Sequence, residues 1–299
     1  MSADKSQFDT GFQPPVQQQP TPGWQSKLDP QPSVEYVPDE ATGGYQLYKA
    51  AGKLKDKKAL ITGGDSGIGR ATAVLFAMEG ADSFIVYLPE EEEDAKETMR
   101  LVEKYGRKCY TFQANLKSKE KCKEVIDKAL STMGSLDILF NNHAYQMVQK
   151  DITEIPEEQW EHTFATNIHP FFYLTKYAIP HLKRGAVIIN DASVNAYVGR
   201  PDLLDYTASK GAVVAFTYGL ANQFVGKGIR VNAVAPGPVW TPLVAATMSK
   251  EAIEQFTSPM GRPGQPSEIA SCVVFLASSD SSQLSGQVIH CNGGVIVHG

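Results

Sequence analysis

The chain lacks any apolar run approaching the roughly 18 residues that a membrane-crossing helix needs. It also lacks a Cys-x-x-Cys pair. Cys109, Cys122, Cys272 and Cys291 stand far apart, a pattern that favours free buried thiols in a reducing compartment over a zinc ribbon or a disulfide framework. The beginning of the chain has no apolar segment and its first arginine is Arg70, so neither a secretory signal nor an Arg-rich transit peptide fits. A cytoplasmic setting is therefore expected. Positive charge is not in excess: 28 Lys and Arg against 33 Asp and Glu leave a net charge of -5, with no electrostatic footprint for nucleic acid or an anionic membrane. His143, His162, His169, His181, His290 and His298 show no ligand spacing with acids or cysteines, so no metal is expected.

What is present is ordinary in bulk, with 42% hydrophobic and 20% charged residues. A length of 299 residues suits one α/β unit of about 250 residues behind a leader. Residues 1–50 hold seven of the 18 prolines and a Gln triplet, a composition that cannot build a core alone. Aromatic residues nevertheless recur there: Phe8, Phe12, Trp24, Tyr36, Tyr45 and Tyr48. Residues 1–20 read equally as a disordered tail. Residues 21–50 read as an extended strap whose aromatics dock on the core or on a neighbouring subunit.

From Leu54 onward, short β-rich apolar runs alternate with amphipathic ones. Strands are expected at 57–62, 84–88, 109–113, 136–141, 186–191, 229–234 and 286–291. Helices are expected at 67–80, 91–105, 118–133, 156–183, 203–227 and 266–278. This rhythm specifies a single doubly wound α/β fold of the Rossmann type, a seven-stranded parallel sheet with helices on both faces. Ligands of such folds bind at the carboxyl ends of the strands.

The first strand runs into Thr62-Gly63-Gly64-Asp65-Ser66-Gly67-Ile68-Gly69 and then a helix. Glycines 63, 67 and 69 allow a sharp strand-to-helix turn and let backbone amides reach a pyrophosphate, which the helix N-terminus favours. Far downstream, Tyr206 and Lys210 are four apart and share a helix face. An ammonium beside a phenol favours phenolate and makes Tyr206 usable as an acid or base near neutral pH. Ser193 precedes Tyr206 at the end of a strand.

From Leu54 to the C-terminus these residues resemble the short-chain dehydrogenase/reductase family. The glycine run matches that family's Thr-Gly-x-x-x-Gly-x-Gly, and Asn141-Asn142 matches the start of its Asn-Asn-Ala-Gly. Asn167, Ser193, Tyr206 and Lys210 match its catalytic tetrad, and Pro236-Gly237 with Thr241 matches its cofactor-closing segment. The leader and the run Tyr87-Leu88-Pro89-Glu90-Glu91-Glu92-Glu93-Asp94 resemble an extended bacterial and fungal branch described as stress-related or glucose-dehydrogenase-like. The expected division is a Pro/Gln-rich extension at 1–50 and a dinucleotide-binding catalytic domain at 51–299.

The resemblance implies hydride transfer between nicotinamide and a carbonyl or secondary alcohol. Tyr206 would act as acid/base, Ser193 would hold the same oxygen, Lys210 would bind the nicotinamide ribose, and Asn167 would anchor a water linking Lys210 to solvent. Cofactor contacts are expected from Gly63, Asp65, Ser66, Gly67, Ile68, Gly69, Tyr87, Leu88, Asn115, Leu116, Asn142, Tyr206, Lys210, Pro236, Gly237, Val239 and Thr241. At the end of the second strand the chain has neither the family's acid nor a cation but Tyr87-Leu88-Pro89, followed by acids, and that charge favours NAD over NADP. Two segments, 194–200 and 238–256, are expected to form the substrate pocket, with Asn195 and Trp240 among its contacts.

His143 replaces a small family residue. Its imidazole must point away, shift the cofactor, or reach toward the substrate. The family resemblance also implies a homotetramer. A non-redox protein on the same scaffold, a bound-cofactor lyase or cyclase or a regulatory binding module, is the alternative.

Overall fold

The computed structural model describes residues 5–39, 41–42 and 44–297; His298 lies outside them. A two-stranded antiparallel hairpin, β1 (Tyr36–Asp39) and β2 (Gly44–Leu47), precedes the main sheet. The main sheet has seven parallel strands: β3 (Lys58–Thr62), β4 (Asp82–Tyr87), β5 (Cys109–Gln113), β6 (Ile138–Asn141), β7 (Val187–Asp191), β8 (Arg230–Val234) and β9 (Val288–Ile289). Their order is β5-β4-β3-β6-β7-β8-β9, so the winding reverses between β3 and β6 and opens a crevice at their carboxyl ends. The strand expectations agree with this sheet to within a few residues at each end, except that β9 is far shorter than 286–291.

The helices are α1 (Gly67–Met78), α2 (Glu92–Glu103), α3 (Lys119–Met133), α4 (Glu157–Asn167), α5 (His169–Ala178), α6 (Asn195–Val198), α7 (Leu204–Phe224), α8 (Pro242–Thr247), α9 (Lys250–Glu254) and α10 (Pro266–Ala277). Local chemistry sets their ends. Ser118 accepts from the Lys121 amide to cap α3, and Gly134 closes it in the left-handed region at φ +79. The helix expected over 156–183 is broken at Ile168, because Pro170 has no amide to donate and can stand only in the first turn of a new helix.

Two apolar layers sandwich the sheet. Leu75, Phe76, Ile61, Ile85 and Val273 fill one face, and Phe84, Leu139, Ile126, Leu174 and Ile188 fill the other. Central strands buried on both faces explain the unbroken β-branched runs. The leader lies on this body: Tyr48 and Val34 pack against the first layer, and Leu28 joins Trp240, Val244, Met248, Ile253 and Phe256 in a separate cluster.

Candidate active site

A cleft of about 940 Å³ lies over the carboxyl ends of the strands. Its floor is the β3–α1 turn. Gly63 and Gly67 take φ of +61 and +50, and a Cβ on Gly69 would stand 1.9 Å from the Gly63 carbonyl oxygen. Only glycine lets the helix approach the turn this closely, and the amino end of α1 then faces the cleft. Ser66, Ile68, Asn115, Leu116, Asn142, Pro236, Gly237, Val239 and Thr241 line the same cleft, as do Asp65, Tyr87 and Leu88. A cradle of this shape, with free space at a helix amino terminus, fits a dinucleotide.

At the end of β4 the structure corrects the sequence reading. Pro89 starts a tight turn that folds Glu91 back, so that its carboxylate accepts from the Leu88 amide at 2.9 Å, beside the strand end. An acid therefore does occupy this position, delivered from three residues downstream. Burial raises Glu91 to about 8, with the neighbouring Asp65 pushing the same way. Asp65 is itself raised to about 6 by burial, and its Oδ2 has no hydrogen-bond partner among the described residues. The Arg70 guanidinium is buried and tied to Asp94 Oδ1 at 3.0 Å and to the Asp65 carbonyl at 2.7 Å.

The leader also forms part of the wall, which the sequence reading did not place there. Thr21 and Pro22 line the cleft, and the Gln25 side-chain oxygen accepts from the Gly67 amide at 2.7 Å. Asp94 accepts from the amides of Gln25 and Ser26 at 2.8 and 3.0 Å. The Gly67 N–H is thus already used within the protein, leaving the pyrophosphate to the other amides of the turn.

Ser193, Tyr206 and Lys210 converge at the ends of β7 and α7. The Lys210 ammonium, fully buried, lies 5.6 Å from the Tyr206 ring centroid and donates to the Asp191 carbonyl at 2.5 Å. Asp191 Oδ2 is 3.7 Å from the same ammonium. Burial holds the Tyr206 phenol well above its ordinary range, Asp191 acts in the same direction, and a hydrogen bond with Ser193 opposes them. This is the reverse of the lowering expected from Lys210 alone. Burial lowers Lys210, with Asp191 opposing, and raises Asp191 to about 6, with Lys210 opposing.

Asn167, at the break between α4 and α5, is buried. Its Oδ1 accepts from the Tyr145 amide at 2.7 Å, and its Nδ2 donates to the Tyr145 carbonyl at 2.8 Å and to Ser209 Oγ at 3.0 Å. These bonds anchor the loop after β6 to α7 and occupy both ends of the side chain. His143 borders the cleft, but its ring turns onto Thr62 Oγ1 at 2.8 Å and stacks edge-on against Phe171. Burial, then Lys210, lowers it to about 3, so it is neutral.

Asn195 lines the cleft and its amide donates to Ser193 Oγ at 3.1 Å. Trp240 requires correction as a substrate contact. It is fully buried beneath α8 and donates to the Pro30 carbonyl at 3.1 Å, because the leader offers it both an apolar bed and an acceptor. Val239, Leu243, Val244, Met248 and Phe256 supply the apolar wall instead.

The fold and the cleft together define a dinucleotide-binding α/β oxidoreductase. A family model described as Enoyl-(Acyl carrier protein) reductase matches residues 63–296. An uncharacterised oxidoreductase of Schizosaccharomyces pombe is 51% identical over 286 residues, covering 95% of this chain and 98% of the relative. Glucose and ribitol dehydrogenase of Daucus carota is 46% identical over 293 residues, covering 96% and 98%. The crystal structure of a short-chain dehydrogenase from Burkholderia cenocepacia in complex with NADP superposes with a TM-score of 0.76 at 28% identity, covering 81% of this chain and 98% of that one. The chain belongs to the short-chain dehydrogenase/reductase family.

Proposed function

We propose that this protein oxidises a secondary alcohol or reduces the corresponding carbonyl compound with a nicotinamide dinucleotide, Tyr206 acting as acid/base. The observation that carries this reading is the convergence of Ser193 and Tyr206, which line a cleft floored by the glycine turn, with Lys210 buried behind Tyr206. When bound, the nicotinamide supplies or accepts the hydride. Tyr206 gives its proton to the carbonyl oxygen in reduction and takes one from the alcohol in oxidation. Ser193 holds that oxygen, Lys210 binds the ribose, and Asn167 fixes the loop that borders the site. The wall of Val239, Leu243, Val244 and Met248 keeps water from the reacting carbon.

For the cofactor, NAD is the proposed partner over NADP. Burial keeps the Glu91 carboxyl at the end of β4 largely protonated near neutral pH, so it can hydrogen-bond ribose hydroxyls but gives a 2′-phosphate no positive charge, while the Arg70 guanidinium is committed to Asp94. A solved relative binds NADP, so direct comparison of the two cofactors is needed. The carrot relative is named for glucose and ribitol, which makes sugars and polyols the first substrates to try.

A homotetramer in the cytoplasm is the proposed assembly and setting. Exposed Trp160, Phe172 and Tyr218 on α4, α5 and α7 support a second copy covering that face, and none of the described helices is long and apolar enough to cross a membrane. Light scattering checks the mass. Steady turnover of NADH and NADPH with aldehydes, ketones, sugars and quinones, and of NAD and NADP with polyols, tests the reaction. Binding of either cofactor with no turnover on any of these would favour the non-redox reading.

A further inference from the structure

The least expected charge near the catalytic residues is Asp191, the last residue of β7. Its side chain borders the cleft yet is almost wholly buried, and its Oδ1 has no hydrogen-bond partner among the described residues. Its Oδ2 lies 3.7 Å from the Lys210 ammonium, while its own carbonyl accepts from the same nitrogen at 2.5 Å. One residue therefore grips Lys210 twice. A lone ammonium 5.6 Å from the Tyr206 ring would stabilise phenolate, but an ammonium with a carboxylate at its side is close to a neutral dipole seen from that ring.

We propose that Asp191 is a positioning residue of this site, whose carboxylate fixes Lys210 and offsets its charge so that Tyr206 stays a phenol at neutral pH, the form that donates a proton during carbonyl reduction. This rests on the dehydrogenase reading above. In reduction, one proton leaves the Tyr206 oxygen for the carbonyl oxygen as the reduced nicotinamide delivers two electrons with its hydrogen, and solvent returns the proton afterwards. In oxidation, the phenol must first lose its proton, so the rate in that direction rises only at higher pH.

Other charged or titratable groups face this cluster. His143, beyond the end of β6, is neutral; Cys291, after β9, faces Asp191 and is held far up by Cys272 and burial. Asp205, at the start of α7, accepts from Thr163 Oγ1 and the Tyr206 amide and is satisfied away from Lys210. Asp191 is thus the acid that touches Lys210, and the direction in which it pushes the phenol agrees with the geometry.

The test is ultraviolet difference titration of phenol ionisation on the full chain without cofactor. The chain has 12 tyrosines, so the Tyr206 signal is taken as the difference between each protein and its Tyr206→Phe counterpart. In Asp191→Asn, Tyr206 is expected to ionise at a pH at least about one unit lower, a tenfold gain in phenolate at a given pH. The pH at which the oxidation rate rises should fall by the same amount. Asp191→Thr serves as the second variant if Asn fails to fold. An unmoved Tyr206 titration in a folded variant overturns the proposal, even if the enzyme turns over normally. Absence of turnover on every substrate, with the titration shifted as expected, would instead strike the dehydrogenase reading and leave the role of Asp191 standing.

Discussion

The Gln25 side-chain oxygen accepts the backbone N–H of Gly67 at 2.7 Å, joining the leader to the glycine turn. Both residues are buried, so removing the acceptor leaves a buried amide unsatisfied, a loss of about 1–3 kcal/mol. Gln25→Ala is expected to lower Tm and to weaken nicotinamide dinucleotide binding, read by thermal melting and fluorescence titration. Deleting residues 1–50 should lower Tm further than it lowers activity per folded site. Unchanged melting after deletion would make the leader a mere tail.

The end of β4, where Glu91 accepts from the Leu88 amide, is the proposed cofactor-selecting position. Leu88→Arg is expected to raise NADPH affinity relative to NADH by supplying a phosphate partner, and Glu91→Gln to leave that ratio nearly unchanged near neutral pH, where the carboxyl it replaces is already largely protonated. Glu91 is raised from 4.5 to about 8, so the folded state holds its proton more tightly and stability is lost as pH climbs through that interval. Glu91→Gln should therefore gain more Tm at pH 8 than at pH 5. An unchanged ratio of NADPH to NADH affinity in Leu88→Arg would mean that the end of β4 does not meet the adenosine.

His143 gives the opposite pH slope. Its value falls from 6.5 to about 3 on folding, so the unfolded chain binds the extra proton and stability is lost as pH drops below 6.5. His143→Ala should remove part of this acid sensitivity while costing packing against Phe171 at every pH. Because the ring faces Thr62 and Phe171, kcat/KM per folded site is expected to hold. A large fall in kcat/KM with unchanged Tm would return His143 to the substrate.

The alternation of runs after Leu54 was enough to read the sheet, because buried parallel strands need continuous apolar sequence and their crossovers need amphipathic helices. The break after Asn167 was not read, because the apolar pattern continues across it, although Pro170 is a residue that can stand only at a helix start. Glu91 was not legible as a cofactor-end acid, since only the turn begun by Pro89 brings it back to Leu88. Asp191 carried no motif, and its pairing with Lys210 exists only once β7 and α7 pack. Trp240 looked like a pocket residue for want of any sign that Pro30, far away in sequence, would cover it.

The central claim is that Tyr206 moves the proton. The decisive measurement is steady-state turnover of Tyr206→Phe beside cofactor affinity, on whichever substrate the wild-type chain accepts. Loss of turnover by about 10²–10⁴-fold, with nicotinamide dinucleotide affinity nearly unchanged, is the expected result, since the phenol is removed while Lys210 and the glycine turn remain. Turnover at the wild-type level would contradict the account.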